Sequence, residues 1–403
     1  MKNNFSKKIF QKIFQLLMEL PVLQNVRGLF YFIDTILLIS IAKPKDIDST
    51  NKKKVIIVFP FALGDSILFG ASAEYYRKLY PKNKYILTYL VTKGCEDLFE
   101  KYGDEIISFE FTVASVNLFY RRNILKKLRE KKYDIVIDPY SCVDCTPNVY
   151  MTRAIFAREK IGFEEIKKRK AQCPDWMRCR IYDRVYTIKG ENLHRLIYYS
   201  KVLECLDVKL DDIKCMNIPS TQLKITLPDR YYIIFPSASM DVKKWEIDKF
   251  FDLIMRINSY YHLPLVFVGT TNDYEDVEKL KAKLEGIFVL DLLGKTNVLQ
   301  LCEIIGRSQF LVTNDTSAYH IGVAKDVKTF LISGGYVFDM FAKYPYLPEN
   351  NNQPIIIAKW RDCFNCDNYC IYNFKNRYPC VEDVTVEQVW GYIKSNIGEK
   401  RDD

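Results

Sequence analysis

Residues 54–68 read KVIIVFPFALGDSIL, and this stretch indicates the fold class. The run VIIVF at 55–59 predicts a buried strand, and the residues that follow Asp65 have the apolar spacing of a helix. In α/β proteins the carboxyl end of such a strand and the N-terminus of the next helix open into one crevice, so an acid at this turn is well placed for chemistry. Two interpretations stay open: Asp65 takes part in a reaction, or Asp65 or Ser66 caps the helix.

Strand and helix patterns alternate from this stretch to residue 206. The predicted strands are 55–59, 85–91, 106–111 and 133–137, and the predicted helices are 66–80, 95–102, 121–132 and 193–206. Alternating elements of this length predict a doubly wound parallel sheet. The segment 162–190 is basic, contains cysteine and shows little periodicity, so we expect it to be irregular.

The alternation restarts in the second half of the chain, after periodicity weakens around 209–229. Strands are predicted at 231–235, 265–268, 288–291, 310–313 and 329–333, and helices at 246–259, 273–284 and 298–306. The fold class that follows is α/β with two Rossmann-like, doubly wound domains, over 54–220 and 221–403, facing each other across a cleft. Such a cleft suits an enzyme that joins two substrates.

Composition and charge limit the class of partner. The chain has 403 residues, too many for one ordinary core, and its 48% hydrophobic and 27% charged residues are typical of a globular protein. The net charge is +9, and residues 1–54 contribute +6 of it with ten Lys or Arg against four Asp or Glu. The body shows no basic helix or known nucleic-acid motif, which argues against a nucleic-acid partner. The basic, aromatic-rich N-terminus instead suits an anionic membrane surface.

Residues 1–53 form a leader that we expect to be a helical extension. Residues 29–42 are apolar except for Asp34, and this run is short for a bilayer span. The leader either lies in a membrane interface as a pair of helices, or packs on the body of the protein or on a second subunit. The N-terminus lacks the pattern of a cleavable signal peptide. We therefore expect a cytoplasmic location, peripheral on the inner face of the plasma membrane.

One loop of the second half has the composition of an anion site. PSASMDVKKW follows a predicted strand and precedes a helix, so its free N–H groups can face an anion. Ser237 and Ser239 add hydroxyl donors, and Lys243 or Lys244 adds a positive charge suited to phosphate. The alternative is a solvated basic turn in which Trp245 anchors the helix.

A second loop combines an acid, hydroxyls and a histidine. The sequence NDTS at 314–317 ends a predicted strand, and His320 follows about one turn inside the next helix. These groups would converge at a helix N-terminus, where the helix dipole favours negative charge and an imidazole can bind phosphate. The alternative is that Asp315 or Thr316 caps the helix and His320 lies in the core.

Four segments, in order over about residues 54–395, resemble the heptosyltransferase family of lipopolysaccharide core synthesis, glycosyltransferase family 9. FALGDSILFGASAEYYRKLYP is similar to the family's opening A-L-G-D loop and helix, and PSASMDVKKW to its donor-phosphate loop. LLGKTNVLQLCEIIGRSQFLVTNDTSAYHIGVA resembles its N-D-T-G-x-x-H segment, with Ser317 in place of the glycine. CVEDVTVEQVW resembles its closing C-x-x-D-[IV]-T-x-E-x-V pattern.

The resemblance implies a GT-B fold with an acceptor-side N-terminal domain and a donor-side C-terminal domain. It implies sugar transfer with inversion and without a required metal or other cofactor. Asp65 would be the general base, and an ordinary carboxyl pKa of about 4 would leave it ionised at neutral pH. Lys243 would neutralise the departing diphosphate. The implied donor-binding residues are Ser239, Lys243, Asp315, Thr316, Ser317 and His320.

The resemblance also implies the partners. The donor would be a nucleotide sugar such as ADP-heptose, and the acceptor a hydroxyl of the lipopolysaccharide core, of another surface glycan or of a lipid-linked oligosaccharide. The alternative is a degenerate family member that binds a nucleotide or glycan without turnover, an idea that the Ser317 departure motivates.

Cysteines near the end of the chain form a separate candidate site. Cys363, Cys366, Cys370 and Cys380 have the spacing C-x2-C-x3-C-x9-C. Four thiolates at short spacing can hold a structural zinc or a cluster, and the alternatives are free thiols or a disulfide. A second C-x-x-C pair, at 142–145, is an isolated motif and a weaker metal or redox candidate.

Overall fold

A computed structural model gives the structure of the protein. It describes residues 51–141, 147–166, 175–210, 213–345, 347–349 and 351–398, together with Ile33, Ile36 and Leu37. The cysteine pair at 142–145 and the predicted leader, apart from these three positions and residues 51–53, therefore lie outside the described residues. The chain divides into two compact units, which are described separately. The first comprises the described residues of Met1–Phe61, Tyr75–Glu191 and Lys201–Val208; the second, those of Ala62–Glu74, Asn192–Ser200 and Lys209–Asp403.

The first unit contains a six-stranded sheet in which all neighbouring strands are parallel. Its strands are β1 (Lys53–Phe59), β2 (Tyr85–Thr92), β3 (Glu105–Phe109), β4 (Lys132–Asp138), β5 (Phe156–Glu165) and β6 (Arg184–Ile188). Their order is β3-β2-β1-β4-β5-β6, which is the doubly wound order of dinucleotide-binding domains. The predicted VIIVF strand lies at the centre of the sheet as β1, and all five of its residues are buried.

Helices connect these strands. In chain order from β1 they are α1 (Leu63–Gly70), α2 (Ala73–Leu79), α3 (Glu96–Phe99), α4 (Phe111–Val116), α5 (Leu118–Glu130), α6 (Pro147–Ala154), α7 (Asp175–Ile181) and α8 (Arg195–Glu204). The single helix predicted over 66–80 is wrong, because the structure has two. The chain turns at Ser72, whose backbone N–H and hydroxyl both donate to the carbonyl oxygen of Phe69, at 2.8 and 2.6 Å.

The prediction that 162–190 is irregular is also wrong. The end of β5, helix α7 and strand β6 all fall in this segment. Strand β6 forms one edge of the sheet, and only Ile188 in it is buried. Only three residues of β5, Ile161 to Phe163, are buried. Most side chains of β5 and of the edge strand β6 are only partly buried or exposed, so these strands carry too few apolar residues to show a strand pattern.

The second unit contains another six-stranded, all-parallel sheet. Its strands are β7 (Tyr232–Phe235), β8 (Leu265–Phe267), β9 (Val289–Asp291), β10 (Leu311–Asn314), β11 (Thr329–Ile332) and β12 (Ile355–Ile357). The order β12-β11-β10-β7-β8-β9 repeats the connectivity of the first sheet. The three-residue strand β12 has no counterpart among the predicted elements.

The helices of this unit pack on both the sheet and each other. They are α9 (Ile247–Tyr261), α10 (Tyr274–Lys281), α11 (Val298–Gly306), α12 (Ser317–Ala324), α13 (Phe338–Phe341), α14 (Pro379–Glu382) and α15 (Val386–Ile397). Helix α9 buries Phe250, Leu253, Ile254 and Ile257, the i, i+3, i+4, i+7 pattern of one helical face. These residues join β7 and β8 in one hydrophobic core.

The predicted α/β class with two doubly wound sheets is confirmed. All strands of the first sheet precede residue 220 and all strands of the second follow it. The limits of the two domains stay predictions, since the second compact unit also takes in 62–74 and 192–200. Among the described helices, none has the length and apolar character needed to cross a membrane.

Candidate active site

Two neighbouring strands of the second sheet bring the two predicted loops together. Strands β7 and β10 are paired in parallel, so the loops that follow them both emerge at the carboxyl end of the sheet. Asn314, the last residue of β10, is fully buried between them. Its side-chain amide donates to the carbonyl oxygen of Pro236 at 2.6 Å and accepts from the backbone N–H of Trp245 at 3.0 Å. One side chain thus fixes both ends of the loop that carries Lys243.

Trp245 anchors that loop in the core. Its ring is fully buried, its Nε1–H donates to the carbonyl oxygen of Val384 at 2.8 Å, and it packs edge-on against Phe250. Trp245 thus anchors the loop, as the alternative interpretation of this loop has it. This anchoring does not replace a functional role of the loop, because a fixed loop can hold its polar groups in place.

The two lysines of the loop have different environments. Lys244 forms ion pairs with Asp241 and Asp276, each at 2.8 Å. Lys243 instead points its Nζ at the ring of Tyr336, 4.1 Å from the centroid, and interacts electrostatically with Asp315 and Asp65. The structure therefore selects Lys243 over Lys244 as the cation of the candidate site.

Burial sets the electrostatics of this pair of loops. It lowers the pKa of Lys243, while the nearby Asp315 and Asp65 carboxylates act in the opposite direction. Burial likewise raises the pKa of Asp315, against the lowering effects of Lys243 and, more weakly, of Tyr336. Charges in such surroundings interact more strongly than they would in water.

Asp65 lies in the first turn of α1, within the same compact unit as Lys243 and Asp315. The residue that caps α1 is Ala62, so the interpretation of Asp65 or Ser66 as the cap is wrong. Burial raises the pKa of Asp65 to about 6, and Asp315 adds to the rise, while Arg195 and Lys243 oppose it. This value corrects the ordinary one of about 4. Asp65 keeps part of its surface exposed, so a ligand can reach it.

Arg195 is the cation with the largest effect on Asp65. It is the first residue of α8 and only 1% exposed. Its Nη2 lies 3.1 Å from the sulfur of Met340, and its guanidinium lies beside the rings of Tyr198 and Phe341. A buried arginine beside an acid keeps that acid ionised over a wider pH range. Nothing in the local sequence around Arg195 relates it to a loop 130 residues earlier, so its place beside Asp65 could not be predicted.

The ring of His320 lies against Gly64, the residue before Asp65. It is 4% exposed, and burial, with a smaller effect of His194, lowers its pKa to about 3, so its imidazole is neutral at physiological pH. Its Nδ1 and the Tyr344 hydroxyl share a hydrogen bond of 2.9 Å. His320 thus has the buried position of the alternative interpretation, while its donor-binding role stays a prediction, and its ring packs against Gly64.

Gly64 is the point of closest approach between that turn and α12. A Cβ atom at this position would lie 3.1 Å from Cδ2 of His320 and 3.4 Å from the Cα of Ser317. A larger residue at this position would require the His320 ring to shift by a few tenths of an ångström. This contact explains why a glycine precedes the acid, and it holds Asp65 next to the start of α12.

The remaining predicted donor-binding residues take up different positions. Thr316 is the N-cap of α12, and its hydroxyl accepts from the N–H of Ala318 at 3.3 Å. Ser317 is the first residue of that helix, and Ser239 is exposed on the loop. Among the described residues Ser237, not Ser239, has a buried hydroxyl that lacks a hydrogen-bond partner. A ligand that reached this loop would satisfy it.

The four cysteines lie in one segment of the second unit. All four are free thiols, and the pKa of Cys366 is raised by burial and by the neighbouring thiols of Cys363, Cys380 and Cys370. Even so, the described ranges contain no group of three or more His, Cys, Asp or Glu side chains arranged to hold a metal ion. Structural zinc at these cysteines stays a prediction, and we assign no step of a reaction to a metal.

Comparison with protein families settles the affiliation. The model of glycosyltransferase family 9 (heptosyltransferase) matches residues 121–333, just over half of the chain. The chain belongs to this family. The matched range contains Lys243, Asp315 and His320, and the resemblance that predicted the family is confirmed, together with its glycosyltransferase class.

Solved structures agree with the GT-B fold of this family 9 chain. The family 9 glycosyl transferase of Veillonella parvula DSM 2008 is 19% identical, with a TM-score of 0.59 over 78% of this chain and 87% of that one. Escherichia coli ADP-heptose lipopolysaccharide heptosyltransferase II is 16% identical, with a TM-score of 0.61 over 86% and 98%. E. coli heptosyltransferase WaaC, solved with ADP-2-deoxy-2-fluoro heptose, is 17% identical, with a TM-score of 0.58 over 85% and 99%. A sequence comparison with curated proteins gives no significant match.

Proposed function

We propose that this family 9 protein transfers a heptose-like sugar, with inversion and without a metal, from a nucleoside-diphosphate donor such as ADP-heptose to a glycan hydroxyl. The observation that carries the proposal is the grouping of Asp65, Lys243 and Asp315 in one unit, with the pKa of Asp65 at about 6. A base with this pKa is largely ionised at pH 7 and is still a stronger proton acceptor than an ordinary aspartate. The similar structure of WaaC holds an ADP-heptose analogue, which supports the choice of donor.

The proposed reaction balances without a further reagent. Asp65 takes the proton of the acceptor hydroxyl as that oxygen forms a bond to the anomeric carbon. The bond between that carbon and the diphosphate oxygen breaks, and the diphosphate leaves with the electron pair. Lys243, with N–H groups of the loops at Ser237 and Thr316, would stabilise the added charge. Attack from the face opposite the leaving group inverts the anomeric configuration.

A binding and transfer assay tests this proposal. ADP-heptose and ADP should raise the melting temperature of the protein, since a ligand that binds only the native state stabilises it, and a UDP-sugar should raise it less. Incubation of ADP-heptose with a heptose-free lipopolysaccharide core should add one heptose by mass, with the inverted anomer by NMR and in the presence of EDTA. Binding of ADP without transfer to any glycan hydroxyl would favour the degenerate binding protein instead. Loss of transfer in EDTA would refute metal independence.

We also propose that the protein works at the inner face of the plasma membrane. The support is the charge of +6 in residues 1–54 and an acceptor of the kind carried on lipid. The full chain should pellet with vesicles that contain anionic lipid, and a chain that lacks residues 1–50 should stay in the supernatant while it still binds ADP. Equal pelleting of both chains would contradict the proposed role of the leader.

A further inference from the structure

Tyr336 packs its ring against Lys243, the cation of the loop after β7. It follows β11 and is 1% exposed. We propose that Tyr336 is a positioning residue that fixes Lys243 relative to Asp315, so that the lysine is held ready for a diphosphate. The inference rests on the proposed function, and it assigns a role to a residue outside all of the recognised motifs.

The ring of Tyr336 supports the lysine. The Nζ of Lys243 lies 4.1 Å from the ring centroid, well within the distance at which a cation is attracted to an aromatic face. A lysine side chain otherwise has many rotamers, and ordering it on arrival of a ligand would reduce affinity. The aromatic face removes part of that freedom before the ligand binds.

Tyr336 also acts on the second charged group of these loops, the Asp315 carboxyl. It helps to keep that carboxyl ionised, since it lowers the pKa of Asp315 against the effect of burial, although the buried Tyr336 hydroxyl has no hydrogen-bond partner of normal geometry among the described residues. Lys243 acts on Asp315 in the same direction and more strongly. A single side chain therefore contacts the cation with its ring and acts electrostatically on the anion.

The backbone around Tyr336 is itself held by the cysteine segment, residues 363–380. The carbonyl oxygen of Tyr336 accepts from the N–H of Asp367 at 2.7 Å, and that of Gly335 accepts from the N–H of Asn365 at 2.5 Å. The N–H of Gly335 donates to the sulfur of Cys380 at 3.3 Å. These three hydrogen bonds hold the backbone at 335–336 and so fix the position of the Tyr336 ring.

Gly335 makes this support possible. A Cβ there would lie 2.4 Å from the ring of Phe364, a distance that no side chain could accept without movement of the segment. The cysteine segment therefore packs directly on the backbone that carries Tyr336. The cysteine segment contributes to the site by packing against this backbone, and this packing does not require a bound metal.

A double-mutant cycle separates positioning from simple core packing. Tyr336→Leu removes both ring and hydroxyl, and should weaken ADP binding about tenfold, the size of a partly buried cation–aromatic contact. In a Lys243→Met background the same change should have almost no further effect on ADP affinity. Tyr336→Phe keeps the ring and should retain most of the affinity. Calorimetric titration with ADP measures the affinity of the wild type and of these four variants.

Tyr232→Leu is the matched control. Tyr232 is a fully buried tyrosine of the same hydrophobic core and the first residue of β7, at the opposite end of that strand from the loop that carries Lys243. Its replacement should lower the melting temperature to a similar extent and leave ADP affinity unchanged. If Tyr336→Leu and Lys243→Met weaken ADP binding additively, or if Tyr232→Leu weakens it as much, Tyr336 has no positioning role.

Failure of the proposed function gives a different result. If the proposed function is wrong, the wild-type protein binds no ADP. In that case the Tyr336–Lys243 contact is measured by the same cycle in urea unfolding, which needs no ligand. A coupling free energy between the two changes upholds the contact, and its absence refutes it.

Discussion

Replacement of Asp65 by Asn is expected to reduce sugar transfer by about 10²–10⁴-fold, the range typical for loss of a general base. ADP affinity should stay close to that of the wild type, because Asn removes the negative charge and keeps the shape. The measurement is kcat/KM with saturating acceptor, together with a titration with ADP. Transfer at the wild-type rate in this variant would rule out Asp65 as the base.

The stability of the same variant is a second readout. Because burial raises the pKa of Asp65 from 3.8 to about 6, the folded protein at pH 8 carries an ionised group that it disfavours. The cost is present above the folded pKa and disappears below the unfolded one, so it amounts at most to about 3 kcal/mol at high pH. Asp65→Asn should therefore melt at a higher temperature than the wild type at pH 8. Loss of activity with a gain in stability cannot come from misfolding.

The pH dependence of transfer follows from the same shift. Transfer needs the ionised carboxylate, so kcat/KM should fall as the pH drops through about 6. Arg195→Gln removes a nearby positive charge and should move this midpoint to higher pH, while Arg195→Lys should restore most of it. Asp315→Asn removes a negative charge and should move the midpoint down. A midpoint that stays in place in all three variants would assign the acid limb to another group.

The local sequence is enough to place Asp65, Lys243 and Asp315 after the carboxyl ends of parallel strands, since each follows a strongly apolar strand. In parallel sheets that pattern reflects burial on both faces, which is why VIIVF and the strand before Asn314 could be predicted. Strands β5 and β6 could not, because their exposed residues conceal the strand pattern. The contributions of Arg195 and Tyr336 also could not, because both depend on packing between segments far apart in the chain.

The pKa of Asp65 is a second property that the local sequence could not predict. The loop sequence gives the residue type, from which an ordinary value follows. The actual value depends on burial against α12, which in turn depends on the close contact of Gly64 with His320. A family motif therefore identified the acid, whereas its strength as a base is a property of the folded unit.

Replacement of Lys243 by Met is expected to reduce kcat by about 10²–10³-fold and to weaken ADP binding by a smaller factor. Met keeps most of the length of the side chain and removes its charge. The leaving diphosphate gains negative charge as its bond to the sugar breaks, so a fixed cation stabilises the transition state more than the bound donor. Initial rates at saturating donor give kcat, and titration with ADP gives the ground-state effect.

Lys244→Met is the matched control, one residue along the same loop. Lys244 is engaged by Asp241 and Asp276, so its loss should affect stability modestly and leave kcat unchanged. Equal losses of kcat in the two variants would mean that the loop needs positive charge in general, for example to attract the donor. A loss confined to Lys243, and larger in kcat than in ADP affinity, would mean that its position beside Tyr336 and Asp315 acts on the departing diphosphate. The comparison thus tests geometry, since both variants lose the same charge.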